Sequence, residues 1–408
     1  MLTGRTYTVL IAAVILYFFA NQTQVGWLYV MSALIGGLVP AAALLSRGML
    51  RDIDGSRRLG DGELPELYEG DDIDISLTLR KTGRGGGAQI RLTEHCPLAA
   101  PESPWRETRL FIPSLPAGDA IHFDYTITLD RRGVYEFPDL TLETHAPFGF
   151  FRRERTLAIP TRALVYPEVL PLHRLALFDR QFMPQVARQT AGLGYEVIGL
   201  RPYRPGDSPR HIHWRTVART GQLVSKEFAD ETQPGLLLAL DLFTHPYPNT
   251  ASKHTPFEWA VKAAASIGDY AGRKQYPLTL ATNAVDLPAP RGAVGMSALL
   301  QYLARVQPIG DEPLTAALRD SAAQSFVAVI LPWPDEAITS TLIDLQRRNA
   351  QVLAILIDPA SFSDGGPSAR GMAGALHAAG IDTRLIRFGD NLVAQLNERQ
   401  EIAPAVTP

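Results

Sequence analysis

The densest set of reactive side chains lies between residues 201 and 219. Arg201, Arg204, Arg210, Arg215 and Arg219 stand there with one carboxylate, Asp207, and with Tyr203, His211, His213 and Trp214. With histidine neutral, the segment carries a local charge of about +4. Guanidinium groups bind carboxylates and phosphates bidentately, so it could receive an anionic partner. It could equally pair with Glu227, Asp230 and Glu231 downstream and clamp two strands together. The composition alone leaves both readings open. His211-x-His213 has the residue types of a metal pair, but two residues apart on a helix the rings point to different faces. Ser208, Asp207 and His213 have the types of a hydrolytic set. Nothing places an oxyanion hole beside them, and Ser208 is better explained as a helix cap.

The elements that must position these groups follow from local patterns. Residues 195–200 alternate as a strand, and Pro205-Gly206-Asp207 makes a turn. Ser208 and Pro209 then predict the start of a helix of about three turns, closed by Gly221. On such a helix His211, Arg215 and Arg219 fall at i, i+4 and i+8, one basic stripe. Residues 223–228 alternate again and could pair with the first strand. The whole stretch, 167–234, reads as a motif-bearing connecting segment.

After Pro234 the periodicity changes. Apolar runs at 235–241, 277–281, 326–331, 352–357 and 383–388 alternate with helical patterns at 257–274, 297–306, 335–349 and 369–379. This predicts a doubly wound α/β domain with a parallel sheet over residues 235–398, followed by a tail at 399–408. Ligands of such sheets sit at the carboxyl ends of the strands, here near Asp241, Asn283, Pro332 and Asp358. No glycine-rich turn follows the first strand, which argues against a dinucleotide site. Upstream, residues 63–166 hold about seven short alternating runs, the pattern of an antiparallel β-sandwich of immunoglobulin or fibronectin type. Its Gly83-Arg84-Gly85-Gly86-Gly87 loop lacks the Gly-Lys-Ser/Thr ending of a phosphate-binding loop.

Residues 6–46 contain no Asp, Glu, Lys or Arg. That suffices for two membrane crossings of about 20 residues each, so residues 1–46 read as a transmembrane helical hairpin and 47–62 as a juxtamembrane linker. A cleaved signal peptide fits worse, because Phe18 and Ala20 make no small-x-small site and a second apolar span follows. Arg5 precedes the hairpin, and Arg47, Arg51, Arg57 and Arg58 follow it, which predicts a multi-pass protein of the inner (plasma) membrane with its soluble domains in the cytoplasm. Over the 408 residues, 39 basic against 42 acidic side chains give a net charge of −3, so no nucleic-acid partner is expected. One cysteine, Cys96, excludes an internal disulfide framework and a cysteine-rich metal site.

The 201–231 motif resembles a bacterial membrane-anchored family called domain of unknown function 58. Its hallmark is matched here by Arg201, Tyr203, Gly206, Asp207, Arg210, Ile212, Trp214, Ala218, Arg219, Lys226, Phe228 and Glu231. Arg132-Gly133-Val134-Tyr135 and Pro147-Phe148-Gly149 agree as well, so the resemblance extends over nearly the whole chain; Ala146 stands where the family usually has Asp. The resemblance implies a von Willebrand factor A-like carboxy-terminal domain. Such domains hold a divalent cation through Asp-x-Ser-x-Ser, whereas this chain has Asp241-Leu242-Phe243-Thr244-His245. Phe243 offers no oxygen, leaving Asp241 as the one candidate cation ligand. The resemblance further implies work beside a MoxR-type AAA+ ATPase and other proteins of the same gene neighbourhood. The resulting expectation is a membrane-anchored, non-enzymatic adaptor or scaffold with no cofactor and no catalytic residues. The alternative is a metal-dependent ligand-binding protein or a hydrolase using the α/β domain.

Overall fold

Two uninterrupted apolar stretches fold as helices, α1 (Gly4–Thr23) and α2 (Gly26–Arg47). Both are long and apolar enough to cross a membrane. Small residues line their contact: Ala13, Ala20, Ser32 and Ala42 are buried, and Ser32 Oγ donates to the Ala13 carbonyl at 2.8 Å. Large side chains such as Trp27 and Leu34 face outward, so the two helices pack on each other through small residues. A computed structural model describes residues 2–62, 66–175, 191–204, 207–229, 235–245, 252–284, 286–310, 312–320, 326–362 and 366–397. The chain divides into two units, Met1–Tyr166 and Pro167–Pro408.

Among the described residues of the first unit the hairpin is followed by ten strands: β1 (Ile53–Leu59), β2 (Leu67–Tyr68), β3 (Asp72–Lys81), β4 (Gly87–His95), β5 (Glu107–Leu115), β6 (Ala120–Thr128), β7 (Gly133–Phe137), β8 (Leu140–Thr144), β9 (Arg153–Leu157) and β10 (Thr161–Tyr166). They form three sheets, in the orders β1-β3-β6, β2-β10-β7 and β5-β4-β8-β9. Period-two alternation drives the pairing. In β3, Ile73, Ile75, Leu77 and Leu79 all point inward. Leu77 and Leu79 share a core with Ile90, Leu92, Ile112, Leu140 and Leu142 of the four-stranded sheet. Tyr135 of the Arg-Gly-Val-Tyr motif donates its hydroxyl to the Arg131 carbonyl at 2.8 Å, a tyrosine tie that fixes the turn before β7.

The sequence reading differs from the structure at 47–62. Residues 53–59 are not linker but β1, antiparallel to β3. Alternation turns Arg57 inward. Its guanidinium is bidentate to Glu94 of β4 at 2.9 and 3.0 Å, and both side chains are buried. Arg57 also donates to Thr161 Oγ1 of β10 and lies 4.4 Å from the Phe137 ring of β7, so one side chain ties all three sheets.

The β-rich part grips both ends of the helical hairpin. The Thr3 amide and hydroxyl donate to the Phe150 and Gly149 carbonyls at 3.0 and 2.7 Å. After α2, the buried Lys81 ammonium donates to the Gly48, Met49 and Arg51 carbonyls, and Arg155 donates to that of Leu50. The carbonyls of the C-cap and of the turn that follows α2 are thus met by cations from the sheets.

The second unit begins with a hairpin. β11 (Ala191–Pro202) pairs antiparallel with β12 (Val224–Ala229), and α3 (Trp214–Thr220) lies between them in sequence. Then follow β13 (Leu236–Leu240), α4 (Pro256–Arg273), β14 (Leu278–Thr282), α5 (Met296–Arg305), α6 (Thr315–Asp320), β15 (Phe326–Leu331), α7 (Glu336–Arg347), β16 (Gln351–Ile357), α8 (Arg370–Ala378), β17 (Asp382–Ile386) and α9 (Leu392–Asn397). The five strands are all parallel, in the order β14-β13-β15-β16-β17. Every residue of β13 and β15 is buried, as a sheet covered on both faces requires. Leu237, Ala239, Val327 and Val329 face α7 and α8 through one core. Helix starts follow local chemistry: Thr255 Oγ1 accepts from the Glu258 amide to open α4, and Asp335 does the same for Ala337 of α7.

Candidate functional site

The motif segment is built on the β11–β12 ladder, where Leu200 faces Lys226 and Arg201 faces Ser225. Tyr203 continues it, its amide donating to the Leu223 carbonyl at 3.0 Å. The chain then turns back on Asp207. Arg201 grips that carboxylate bidentately at 2.8 and 2.7 Å, and the Arg204 amide donates to Asp207 Oδ2 at 3.0 Å. The Arg201 hydrogen bonds first, and the Arg204 amide next, hold the Asp207 carboxyl below the usual aspartate range. One arginine and the single aspartate are therefore consumed in closing the turn. Gly206 and Glu231 of the motif, with Pro205 and Asp230, lie outside the described residues.

The continuous three-turn helix expected from Ser208 is not formed. Pro209–His211 make one 3-10 turn, Ile212 is extended, and α3 starts only at Trp214 and closes at Gly221, φ 71°. Ser208 makes no side-chain capping bond. The reason is a competing ladder: buried Ile212 bridges to Ser225, and the His213 amide donates to the Val224 carbonyl at 2.9 Å. The break takes His211 off the stripe, leaving Arg215 and Arg219 one turn apart on α3. His213 Nδ1 is 2.7 Å from Thr216 Oγ1 at the start of α3, which engages that ring locally.

The remaining groups face outward. Trp214 is 61 % exposed, and Arg204, Arg210, Arg215 and Arg219 are exposed, as are Leu200 and Leu223. Among the described residues none of these four arginines makes an ion pair. The result is a basic hairpin with an aromatic residue at its centre. Tryptophan and arginine are among the residue types enriched at protein interfaces.

The carboxyl ends of the parallel strands make the second candidate site. In the order β14-β13-β15, the crevice opens between β13 and β15, where successive crossovers leave to opposite sides. Asp241, 4 % exposed, stands at the end of β13. Its Oδ1 accepts from the Phe243 amide at 3.1 Å and from Asn283 Nδ2 at 2.8 Å. Asn283 in turn accepts from the Leu242 amide and donates to the Glu312 carbonyl. Asp241 Oδ2 lies 3.8 Å from His245 Nε2, and the His245 ring stacks on Trp333 with centroids 5.0 Å apart. Asp358, at the end of β16, accepts from the Ala369 amide. These carboxylates hold loops in place. Among the described residues no three His, Cys, Asp or Glu side chains come together as a metal group.

No local pattern signals the His245–Trp333 stack or the Asn283 bridge, because each joins elements far apart in the chain. A polar residue at each strand end was the one available signal, and it located the crevice without revealing the partners.

A family model described as "Protein of unknown function DUF58" matches residues 199–357, from the last part of β11 to the end of β16. The "Uncharacterized protein YeaD" of Bacillus subtilis (strain 168) is 25 % identical over 276 residues, 64 % of this chain and 63 % of that protein. The chain thus spans less than two thirds of that relative's length. Among solved structures, the CARDB domain of a Pyrococcus furiosus protein shares 9 % identity at a TM-score of 0.20, covering 28 % of this chain and 94 % of that one. The exo-β-N-acetylglucosaminidase of Vibrio harveyi shares 8 % at 0.21, covering 82 % and 81 %. Likenesses this weak carry no argument about fold or activity.

Proposed function

We propose that this chain is a membrane-anchored adaptor, not an enzyme, which presents the β11–β12 hairpin to a protein partner. α1 and α2 insert as a hairpin with both ends in the cytoplasm, and the β-rich part is an immunoglobulin-like sandwich clamped to them. The α/β part is von Willebrand factor A-like, its metal loop replaced by hydrogen bonds around Asp241. The observation that carries the reading is the division of labour in the motif. Arg201 and Asp207 close the turn, while Trp214, Arg210, Arg215 and Arg219 are left on the surface. The alternative, a clamp in which the arginines pair with Glu227, Asp230 and Glu231, falls on side chains outside the described ones; the exposed Trp214 supports the partner surface. The partner is a surface rich in carboxylates with a pocket for an indole. Resemblance to the family points to a MoxR-type AAA+ ATPase.

The test is a photoreactive amino acid placed at position 214 or 215 of the full-length chain in its native membrane. Crosslinks to one acidic protein, lost when Arg210 and Arg219 are changed to Glu at unchanged melting temperature, support the reading. Crosslinks only to lipid or only within the chain overturn it. A Trp214→Ala substitution should weaken partner binding by about thirtyfold or more, the size of a central aromatic anchor.

A further inference from the structure

The end of α1 and the turn that grips it enclose a second basic site, unrelated to the motif. Between them lies a cavity of about 660 Å³ lined by Thr3, Arg5, Gln89, Arg91, His145 and Phe148. It has no carboxylate in its lining. Among the described residues neither Arg5 nor Arg91 has an ion-pair partner. His145 Nε2 lies 3.3 Å from Glu143, and Glu143 also pairs with Arg152 at 3.0 Å, so that carboxylate is already engaged outside the cavity lining. Arg5 occupies the first turn of α1, which contains no acidic residue, where the positive end of the helix disfavours a cation. Gly149, φ 74°, lets the Arg5 guanidinium lie against the turn; a Cβ there would stand 3.1 Å from Nη1. Both arginines are exposed, and two guanidiniums lining one cavity offer an anion bidentate, charge-assisted hydrogen bonds.

Position selects the source of that anion. Tyr7, Leu10, Ile11 and Val14 follow Arg5 on the outer surface of α1, and Phe148 on the cavity rim is 46 % exposed. If α1 crosses the bilayer, this cavity stands at headgroup depth on the side where the chain's basic flanks lie, with Phe148 at the acyl boundary. We propose that Arg5 and Arg91 bind the phosphate of an anionic phospholipid, such as phosphatidylglycerol, and that Phe148 packs on its upper acyl chain. This rests on the membrane-anchor reading above. The bound lipid fixes the depth at which the sheets sit beneath the hairpin, because Thr3 and the Gly149–Phe150 turn are joined directly.

The experiment uses the full-length chain in nanodiscs of phosphatidylcholine and phosphatidylglycerol in equal parts, with retained lipid read by native mass spectrometry after release into mild detergent. Preferential retention of phosphatidylglycerol is expected, falling by about tenfold or more in Arg91→Gln and substantially preserved in Arg91→Lys. Arg91 lies on a strand, so these variants leave the topology-setting cations untouched, and an unchanged melting temperature excludes misfolding. Arg109→Gln, outside this cavity, should retain lipid like the wild type. Equal retention of both lipids, or displacement of the bound lipid by millimolar inorganic phosphate, overturns the proposal. Alkaline carbonate extraction of native membranes is run beside it: a chain released by carbonate refutes the membrane anchor itself, whereas a retained chain without lipid preference refutes only the lipid site.

Discussion

Replacing Glu94 by alanine would leave the Arg57 guanidinium buried without its counter-charge. The two side chains are 0 and 1 % exposed and share two short hydrogen bonds, so removing one partner exposes the full cost of a desolvated charge. For buried pairs that cost is about 3–5 kcal/mol. Thr161 Oγ1 at 3.2 Å, the Ile159 carbonyl at 3.4 Å and the Phe137 ring at 4.4 Å remain as partial compensation. The lower end of the range, about 3 kcal/mol, is therefore expected for Glu94→Ala. Arg57→Met removes the charge but leaves Glu94 with Tyr125, whose hydroxyl is 3.4 Å away. The double substitution should cost less than the sum of the singles, with a coupling of about 1–3 kcal/mol. Hydrogen exchange at the amides of β1, β4 and β10 in the full-length chain reads this unit separately from the rest. Additive single effects, or a Glu94→Ala cost below about 1 kcal/mol, would refute the view that this pair ties the three sheets together.

The Asp207 carboxyl, followed by carbon-13 NMR, should titrate below the usual aspartate range and move back up in Arg201→Gln. Because its folded value is depressed, its contribution to the turn is present above the unfolded range and lost as pH falls through the folded value. Gly310→Ala should destabilise the α/β unit by about 1–3 kcal/mol in urea unfolding, since its Cβ would meet Leu242 backbone atoms at 2.9 Å and the Asn283 carbonyl at 3.0 Å. Cys96 is fully buried, and burial pushes its thiol up, so maleimide should react only after unfolding. Labelling of the native chain at the rate of a free thiol would contradict that placement.

Periodicity carried most of the architecture. Apolar runs such as 326–331 could be read because a strand buried on both faces admits few polar residues, and the alternation at 73–79 because one face is buried. β1 escaped detection, since Asp54-Gly55-Ser56-Arg57-Arg58 looks polar until Glu94 supplies the partner for Arg57. Local signals likewise favoured a helix from Ser208. They failed there because pairing of Ile212 and His213 with β12 is a tertiary effect that propensity does not contain. At the candidate site the residue types were visible but not their division: nothing in the spacing distinguishes Arg201, which closes the turn, from Arg215, which does not. The Arg5–Arg91 cavity was equally hidden, because it joins a helix end to a strand far along the chain.

The adaptor account is tested most directly by capturing the full-length protein from gently solubilised native membranes, with and without ATP, alongside Trp214→Ala. It predicts that a AAA+ ATPase co-purifies in a nucleotide-dependent manner and is lost from the variant while the variant's melting temperature stays unchanged. Capture of the same ATPase by Trp214→Ala at wild-type level, or the absence of any ATPase from the wild-type capture, would contradict it.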